Sequence, residues 1–286
     1  MEVRRADEGD LADIAQARLS NGPAHDDSGA NPDYCRYLIR CGHLVVAEQG
    51  GRVVGFGGAI DIAGARLLSD LYVHADWHGK GVGGALLGAV LDGAFERLTF
   101  ASNDPATIPL YTRAGMLCHW PLLTLGGAAA GLSEPHLAEP HLAESLLPGS
   151  HLLVREVDAL DAASVEQGIT GIDRVSDHVY WRSRAGSHAV SLELDGRVTA
   201  VGALLVSDGG CRIEHLAAIE GFELAAVAAL TRWSGAKGVQ LYVPGNHELA
   251  AHLLQRGFRV TDTGLHMSTT TQAVHPRLCV LHPGLC

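Results

Sequence analysis

The sequence predicts an α/β (α+β) protein built from two copies of one fold in tandem, and three observations carry that reading. The first is self-similarity. HLLVREVDA (His151 to Ala159) matches MEVRRADEG (Met1 to Gly9), with Val154 on Val3 and Asp158 on Asp7. DGRVTAVGALL repeats GGRVVGFGGAI with Gly202 on Gly57, and RGF (Arg256 to Phe258) repeats RAGM with Gly257 on Gly115. A period near half the chain length is what two stacked copies of one unit produce. The interval between matched positions shortens along the chain, so the second copy carries short deletions. The second observation is that strand-like and helix-like apolar periods follow one another within each copy. The third is a glycine-dense turn, in residues 66 to 84 (RLLSDLYVHADWHGKGVGG), that joins an apolar strand directly to an amphipathic helix.

In order, EVRRA reads as a short strand. A helix follows from near Asp7, with Leu11, Ile14, Ala15 and Leu19 on one face, and a second helical piece covers Tyr34 to Arg40. HLVVAEQGGRVVGFGGAI reads as two strands about a Gln-Gly-Gly turn. After the long strand and glycine turn, Leu86, Leu87, Val90, Leu91 and Ala94 recur at helical spacing. RLTFAS (Arg97 to Ser102) is a strand, a helix ends in LYTRAGM (Leu110 to Met116), and a last strand region runs through Leu125.

The expected organisation is therefore a first domain over 1–125, a linker over 126–150, a second domain over 151–270 and a tail over 271–286. The linker contains GGAAAG and the tandem pentapeptide EPHLA EPHLA, a low-complexity stretch rich in proline and small residues. With 286 residues, 47% of them hydrophobic, each copy has material for a core. The six cysteines form no C-x-x-C pair, and none of the 16 histidines falls in an H-x-x-x-H or H-E-x-x-H spacing on an expected helix, so neither a disulfide framework nor a metal is expected. A net charge of -11 without a Lys/Arg stripe disfavours nucleic acid. No apolar run is long enough to span a bilayer and the acidic N-terminus does not read as a signal peptide, so the expected location is cytoplasmic.

The glycine turn is built to hold an anion. Gly79, Gly81, Gly83 and Gly84 let backbone N–H groups converge at the positive end of a helix. GKGVGG satisfies the dinucleotide pattern G-x-G-x-x-G, with Asp104 about twenty residues on for a ribose hydroxyl. HGKGVG (His78 to Gly83), preceded by LYV (Leu71 to Val73), resembles instead the Gln/Arg-x-x-Gly-x-Gly/Ala pyrophosphate loop and fourth strand of the GNAT superfamily of acyl-CoA-dependent N-acetyltransferases. Context favours the second. A dinucleotide fold sets its glycines in the first strand-to-helix turn, whereas here helices and a hairpin come first.

The resemblance covers the whole first copy, and it implies two tandem GNAT-like domains, each a mixed, mostly antiparallel central sheet flanked by helices. It implies acetyl-CoA as co-substrate, with Leu71, Tyr72 and Val73 pairing with the pantetheine arm and His78, Gly79, Lys80, Gly81, Val82 and Gly83 at the pyrophosphate. His78 departs from the family's Gln or Arg. Tyr111 stands where the family's general acid lies, and Asp70 on the fourth strand where a carboxylate serves the acceptor amine, directly or through water. Period-2 alternation sets Asp70, Tyr72 and His74 on the face opposite Leu67, Leu71 and Val73. Asn103 and Asp104 fall near a family asparagine, but their spacing to Tyr111 departs from the pattern.

The implied activity is N-acetylation of a primary amine on a small-molecule or amino-acid-like acceptor, with a homodimer allowed. A non-catalytic acyl-CoA-binding module and a dinucleotide-dependent oxidoreductase are the alternatives. The second copy keeps one glycine where the first has four, after CRIEHLAAI, and Leu253 at the place of Tyr111, so it is expected to be degenerate.

Overall fold

The computed structural model describes residues 1–22, 31–102, 104–132, 152–271 and 274–285. The pentapeptide repeat and Asn103 lie outside the described residues. The chain divides into two compact units: Met1–His119 with His266–Ala273 and Pro283–Leu285, and Trp120–Leu265 with Val274–His282 and Cys286. The carboxyl-terminal residues expected in the second domain and tail are thus shared between the two units. Residues expected at the start of the linker continue the sixth strand to Ala128, and 129–132 form a 3₁₀ turn.

Unit 1 opens with β1 (Glu2–Arg5) and a 3₁₀ turn over Glu8–Asp10 that leads into α1 (Leu11–Leu19). Asp7 accepts from the Gly9 N–H at 2.7 Å and Asp10 accepts from the Asp7 N–H at 2.9 Å, a reciprocal cap. Of the expected apolar face only Ile14 is fully buried; Leu19 is exposed, and Ala17 and Arg18 are buried in its place. All four expected positions lie within α1, and the buried flank, Ile14 with Ala17 and Arg18, is rotated from them and includes a charged residue that an apolar pattern does not count. α2 (Pro32–Cys41) is capped by Asn31, whose side chain accepts from the Asp33 N–H, with proline at its first position. β2 (His43–Gln49) and β3 (Arg52–Ile62) form a hairpin about Gly50 and Gly51, both at positive φ, as a two-residue turn between twisted strands requires.

β4 (Ala65–Val73), α3 (Val82–Val90), β5 (Glu96–Ala101) and α4 (Thr107–Arg113) follow. The sheet order is β1-β2-β3-β4-β5, antiparallel except for the parallel β4–β5 pair. At Gly58 the sheet admits close contact: a Cβ there would lie 2.7 Å from Leu38 of α2.

Unit 2 repeats the programme. β6 (Leu117–Ala128), which begins in unit 1, is followed by β7 (Leu153–Val157), α5 (Ala159–Thr170), α6 (Val175–Ser183), β8 (Ser187–Leu194), β9 (Arg197–Ser207) and β10 (Gly210–Ala218). Next come α7 (Glu223–Ser234), β11 (Gly238–Pro244), α8 (Glu248–Gln255), β12 (Arg259–Ser268) and β13 (Leu278–Val280). The strand order is β6-β11-β10-β9-β8-β7, with β10–β11 parallel and the other pairs antiparallel. One cap is duplicated. The Tyr111 carbonyl accepts from Ala114 and Met116 N–H, and the Leu253 carbonyl from Arg256 and Phe258 N–H, with Gly115 and Gly257 at φ 87° and 84°.

Under the sheet of unit 2 lies a buried polar cluster. Glu166 Oε2 accepts from His178 Nε2 at 2.6 Å and lies 2.9 Å from His215 Nε2, while the Arg174 guanidinium approaches Oε1 at 3.9 Å. Among the described residues these three ligand atoms, within 4.8 Å of one another, are the grouping that a metal could use. Both imidazole Nε2 atoms lie close to one carboxylate oxygen, at 2.6 and 2.9 Å, and a guanidinium sits beside the other. That is the geometry of an ion-pair network, in which the positive charge is already supplied.

Burial alone would raise the Glu166 carboxyl, but the His215 and Arg174 charges and the imidazole hydrogen bonds hold it well below the usual carboxylate range. Burial pushes His215 down from 6.5, with Glu166 opposing. Both folded-state values lie below their unfolded ones, so both groups contribute stability above the unfolded values that is lost as pH falls. The melting temperature should therefore decline from about pH 6.5, where an unfolded histidine begins to take up its proton, and fall further below pH 4.5, where an unfolded glutamate does. Thermal melts from pH 8 to 4 check this; a flat profile to pH 4.5 would contradict it.

Candidate functional site

The site in unit 1 begins with a misfit in β4. Its register to β3 pairs Leu68 with Ala59 and Asp70 with Gly58, leaving Ser69 as an extra residue. Such a bulge bends the strand and exchanges its faces. Leu67 consequently shares the Asp70 face, and the uninterrupted alternation expected from the sequence, which set it with Leu71 and Val73, is corrected. Beyond the bulge, Leu71 and Val73 pack with Val82 and Leu86 of α3, while Tyr72 meets Phe56 with ring centroids 5.4 Å apart.

β4 and β5 pair only as far as Leu68 and Thr99. Past that point they part, and a cleft of about 420 Å³ opens, lined by Leu71 to Val73, Trp77 to Gly79, Gly81 to Gly83, Asn21, Ser102, Asp104, Leu110 and Tyr111 among others. The His74 N–H bonds the Val54 carbonyl at 2.9 Å, which makes residues 54/74, 56/72 and 58/70 the hydrogen-bonded pairs of this antiparallel ladder. Leu71 and Val73 therefore turn their N–H and C=O groups away from β3 toward the cleft. Tyr72, expected to pair with an arm, spends its backbone on β3 and offers its ring instead.

The glycine turn closes the outer end. Gly79 and Gly81 hold φ of 73° and 82°, and Gly81 is the cap residue of α3. The first helical hydrogen bond is from Ala85 N–H to the Gly81 carbonyl at 3.1 Å. The N–H groups of Val82, Gly83 and Gly84 thus have no acceptor within the helix and project from its positive end. A Cβ at Gly83 would stand 3.6 Å from Val73 and 3.8 Å from Leu110, so this glycine keeps the cleft wall low. His78 does not aim at that cradle: its Nε2 lies 2.9 Å from the Val73 carbonyl. Lys80 folds back, donating to the Asp76 carbonyl at 2.8 Å with its ammonium 4.6 Å above the Trp77 ring.

Tyr111 enters from α4 and is nearly buried. Burial, with the Asp70 and Asp104 carboxylates adding, pushes its phenol above the usual value, so the hydroxyl keeps its proton at neutral pH. Asp70 is 4% exposed and stands behind the lining of the cleft. Its charge also reaches Cys35, whose thiol is pushed up to about 12, first by burial and then by Asp70. Asp104 caps the turn before α4, accepting from the Ala106 N–H at 2.8 Å. Sequence reasoning missed Ser20 and Asn21 at the end of α1. Ser20 Oγ accepts from the Ala75 N–H at 3.1 Å, and Asn21 Nδ2 donates to the Val73 carbonyl at 3.0 Å.

Unit 2 has the same bulge, at Glu214, between Ile213 paired with Leu204 and His215 paired with Ala203. There the chain fills its own wedge. β10 and β11 pair over Cys211–Ile213, and past the bulge β13 takes the open edge, with Leu216 opposite Val280 and Ala217 opposite Leu278. The Leu281 N–H reaches the Tyr242 carbonyl of β11 at 2.9 Å. Between β10 and α7 only four residues remain, with Gly221 the sole glycine.

Residues 40–115 match the family model of the acetyltransferase (GNAT) domain. No curated protein matches the sequence. Among solved structures, a putative acetyltransferase from Pyrococcus horikoshii is similar at 13% identity and a TM-score of 0.69, over 99% of this chain and 95% of that one. A tandem GNAT protein from the clavulanic acid biosynthesis pathway is similar at 16% identity and a TM-score of 0.60, over 93% and 97%. A GCN5-related N-acetyltransferase from Kribbella flavida gives 19% identity and 0.59, over 93% and 70%. No helix among the described residues is long and apolar enough to cross a membrane. Both units therefore have the GNAT fold, in which a mostly antiparallel sheet displaces the dinucleotide reading, and the match over residues 40–115 supports a GNAT assignment for the first of them.

Proposed function

We propose that unit 1 transfers an acetyl group from acetyl-CoA to a primary amine of a small-molecule acceptor. The observation that carries this is the wedge between β4 and β5, where the outward-turned Leu71 backbone and Val73 N–H lead to the N–H groups of Val82, Gly83 and Gly84. An amide-bearing arm attached to a pyrophosphate matches that sequence of donors and acceptors.

In the reaction the amine nitrogen bonds the thioester carbonyl carbon and the C–S bond breaks. The second nitrogen proton, released as the amide forms, replaces the one that the departing thiolate takes from Tyr111, and the ammonium proton lost before attack passes toward Asp70. Because Asp70 stands behind the lining of the cleft, that transfer runs through a water. Unit 2 contributes no second acetyl-CoA site, since β13 occupies its wedge and its loop is too short to form a cradle.

Calorimetry on the full chain should give one acetyl-CoA site, and Gly81→Val, which forces a branched residue to φ 82°, should weaken binding at least tenfold. Two sites, or unchanged affinity in Gly81→Val, would remove the loop from the reading. Tyr111→Phe should lower turnover by about 10² to 10⁴ with acetyl-CoA affinity unchanged. Asp70→Asn should lose rate mainly near neutral pH and regain it as the acceptor amine deprotonates at high pH. A loss that is uniform across pH would make Asp70 a positioning group.

A further inference from the structure

We infer that Arg18 is the anchor for a carboxylate on the acceptor, so that the substrate class is a small amine that also carries an acid group, as an α-amino acid does. The inference rests on the acetyltransferase reading above and narrows it. Arg18 sits in the last turn of α1, 6% exposed, with its guanidinium carbon 4.5 Å above the ring of Tyr72.

Its sole hydrogen bond among the described residues is a long one, Nη1 to the Gly22 carbonyl at 3.4 Å. Nε is buried without a partner, and no described carboxylate lies within ion-pairing distance of the side chain. Several other buried charges are ion-paired: Asp10 with Arg4, Arg174 with Asp177, and Glu214 with Arg184 and Arg212. A buried charge without a counter-ion is costly to hold. The Tyr72 face and the negative end of the α1 dipole offset part of that cost, but neither satisfies the planar fork, which matches a carboxylate.

The place is right for an acceptor. Tyr72 lines the cleft, and the end of α1 is tied to its rim through Ser20 and Asn21. Asp70 lies two residues before Tyr72 on the same face of β4, about 7 Å along the strand. A zwitterion with its ammonium toward Asp70 and its carboxylate toward Arg18 meets the opposite charge at each end.

The test uses the full-length protein, acetyl-CoA and thiol-release detection. The panel is the proteinogenic L-amino acids, each as free acid and as carboxamide, with a polyamine and an amino sugar alongside. The expected result is turnover of one or more free acids, with kcat/KM about a hundredfold lower for the matching carboxamide. Arg18→Met should raise KM for that acid about a hundredfold while acetyl-CoA affinity by calorimetry stays within twofold, and Arg18→Lys should recover part of the loss. Equal turnover of acids and carboxamides, turnover of the polyamine or amino sugar alone, or an unchanged KM in Arg18→Met would overturn the anchor. If acetyl-CoA does not bind the wild-type protein, the transferase reading fails by itself. The anchor is then read from thermal stabilisation by the free acids: it stands if they stabilise the wild type but not Arg18→Met, and falls if they do neither.

Discussion

Ser69 is one residue too many for the strand opposite it, and the backbone's response organises the rest of the site. Without the bulge, β4 would stay paired to β5 along its length, and Leu71 and Val73 would spend their outward N–H and C=O groups on a neighbouring strand. With it, β4 bends away after Leu68, so the Leu71 groups and the Val73 N–H turn toward the cleft while Asn21 and His78 hold the Val73 carbonyl. The same exchange of faces brings Asp70 and Tyr72 to the side covered by α1 and α2, where Arg18 stacks on the Tyr72 ring. The open cleft and the placing of Asp70 and Tyr72 on one face are two consequences of one register shift.

Unit 2 answers the same shift in a different way. Its bulged residue, Glu214, is fully buried, and Arg184 and Arg212 neutralise it. The edge of β10 that the bulge frees is then covered by β13. An open strand edge inside a domain is a liability, and this unit satisfies it by hydrogen-bonded pairing with its own β13. His215, which follows its bulge as Asp70 follows the first, belongs to the Glu166 network instead of a binding face. The second copy keeps the architecture, but β13 covers the strand edge that stays open in unit 1.

Much of this was legible in the sequence. The order of elements, the duplication, the hairpin at Gly50–Gly51 and the helix opening at the glycine turn all follow from local periodicity and turn chemistry, which one sequence displays in full. The face of Leu67 was not legible, because a bulge is decided by pairing with a strand that sequence alternation does not see. The buried flank of α1 was missed because it buries a charged residue, Arg18, and leaves the apolar Leu19 exposed, which a pattern of apolar positions does not display. The role of β13 was missed for a related reason: three residues near the carboxyl end carry no periodic signal, and their meaning comes from the edge they cover.

His78 illustrates how a correct alignment can still misassign a side chain. Read against the family's loop, it looked like a weak substitute for a phosphate donor. The structure gives it to the Val73 carbonyl, which also accepts from Asn21. That carbonyl is the last outward-facing acceptor on β4 before the turn, and two donors on it hold the end of the strand, the end of α1 and the start of the loop together. The anion cradle then needs no side chain at all. Gly79 and Gly81 set the backbone path and the first N–H groups of α3 are the free donors, so His78 fastens the loop and leaves those N–H groups unobstructed.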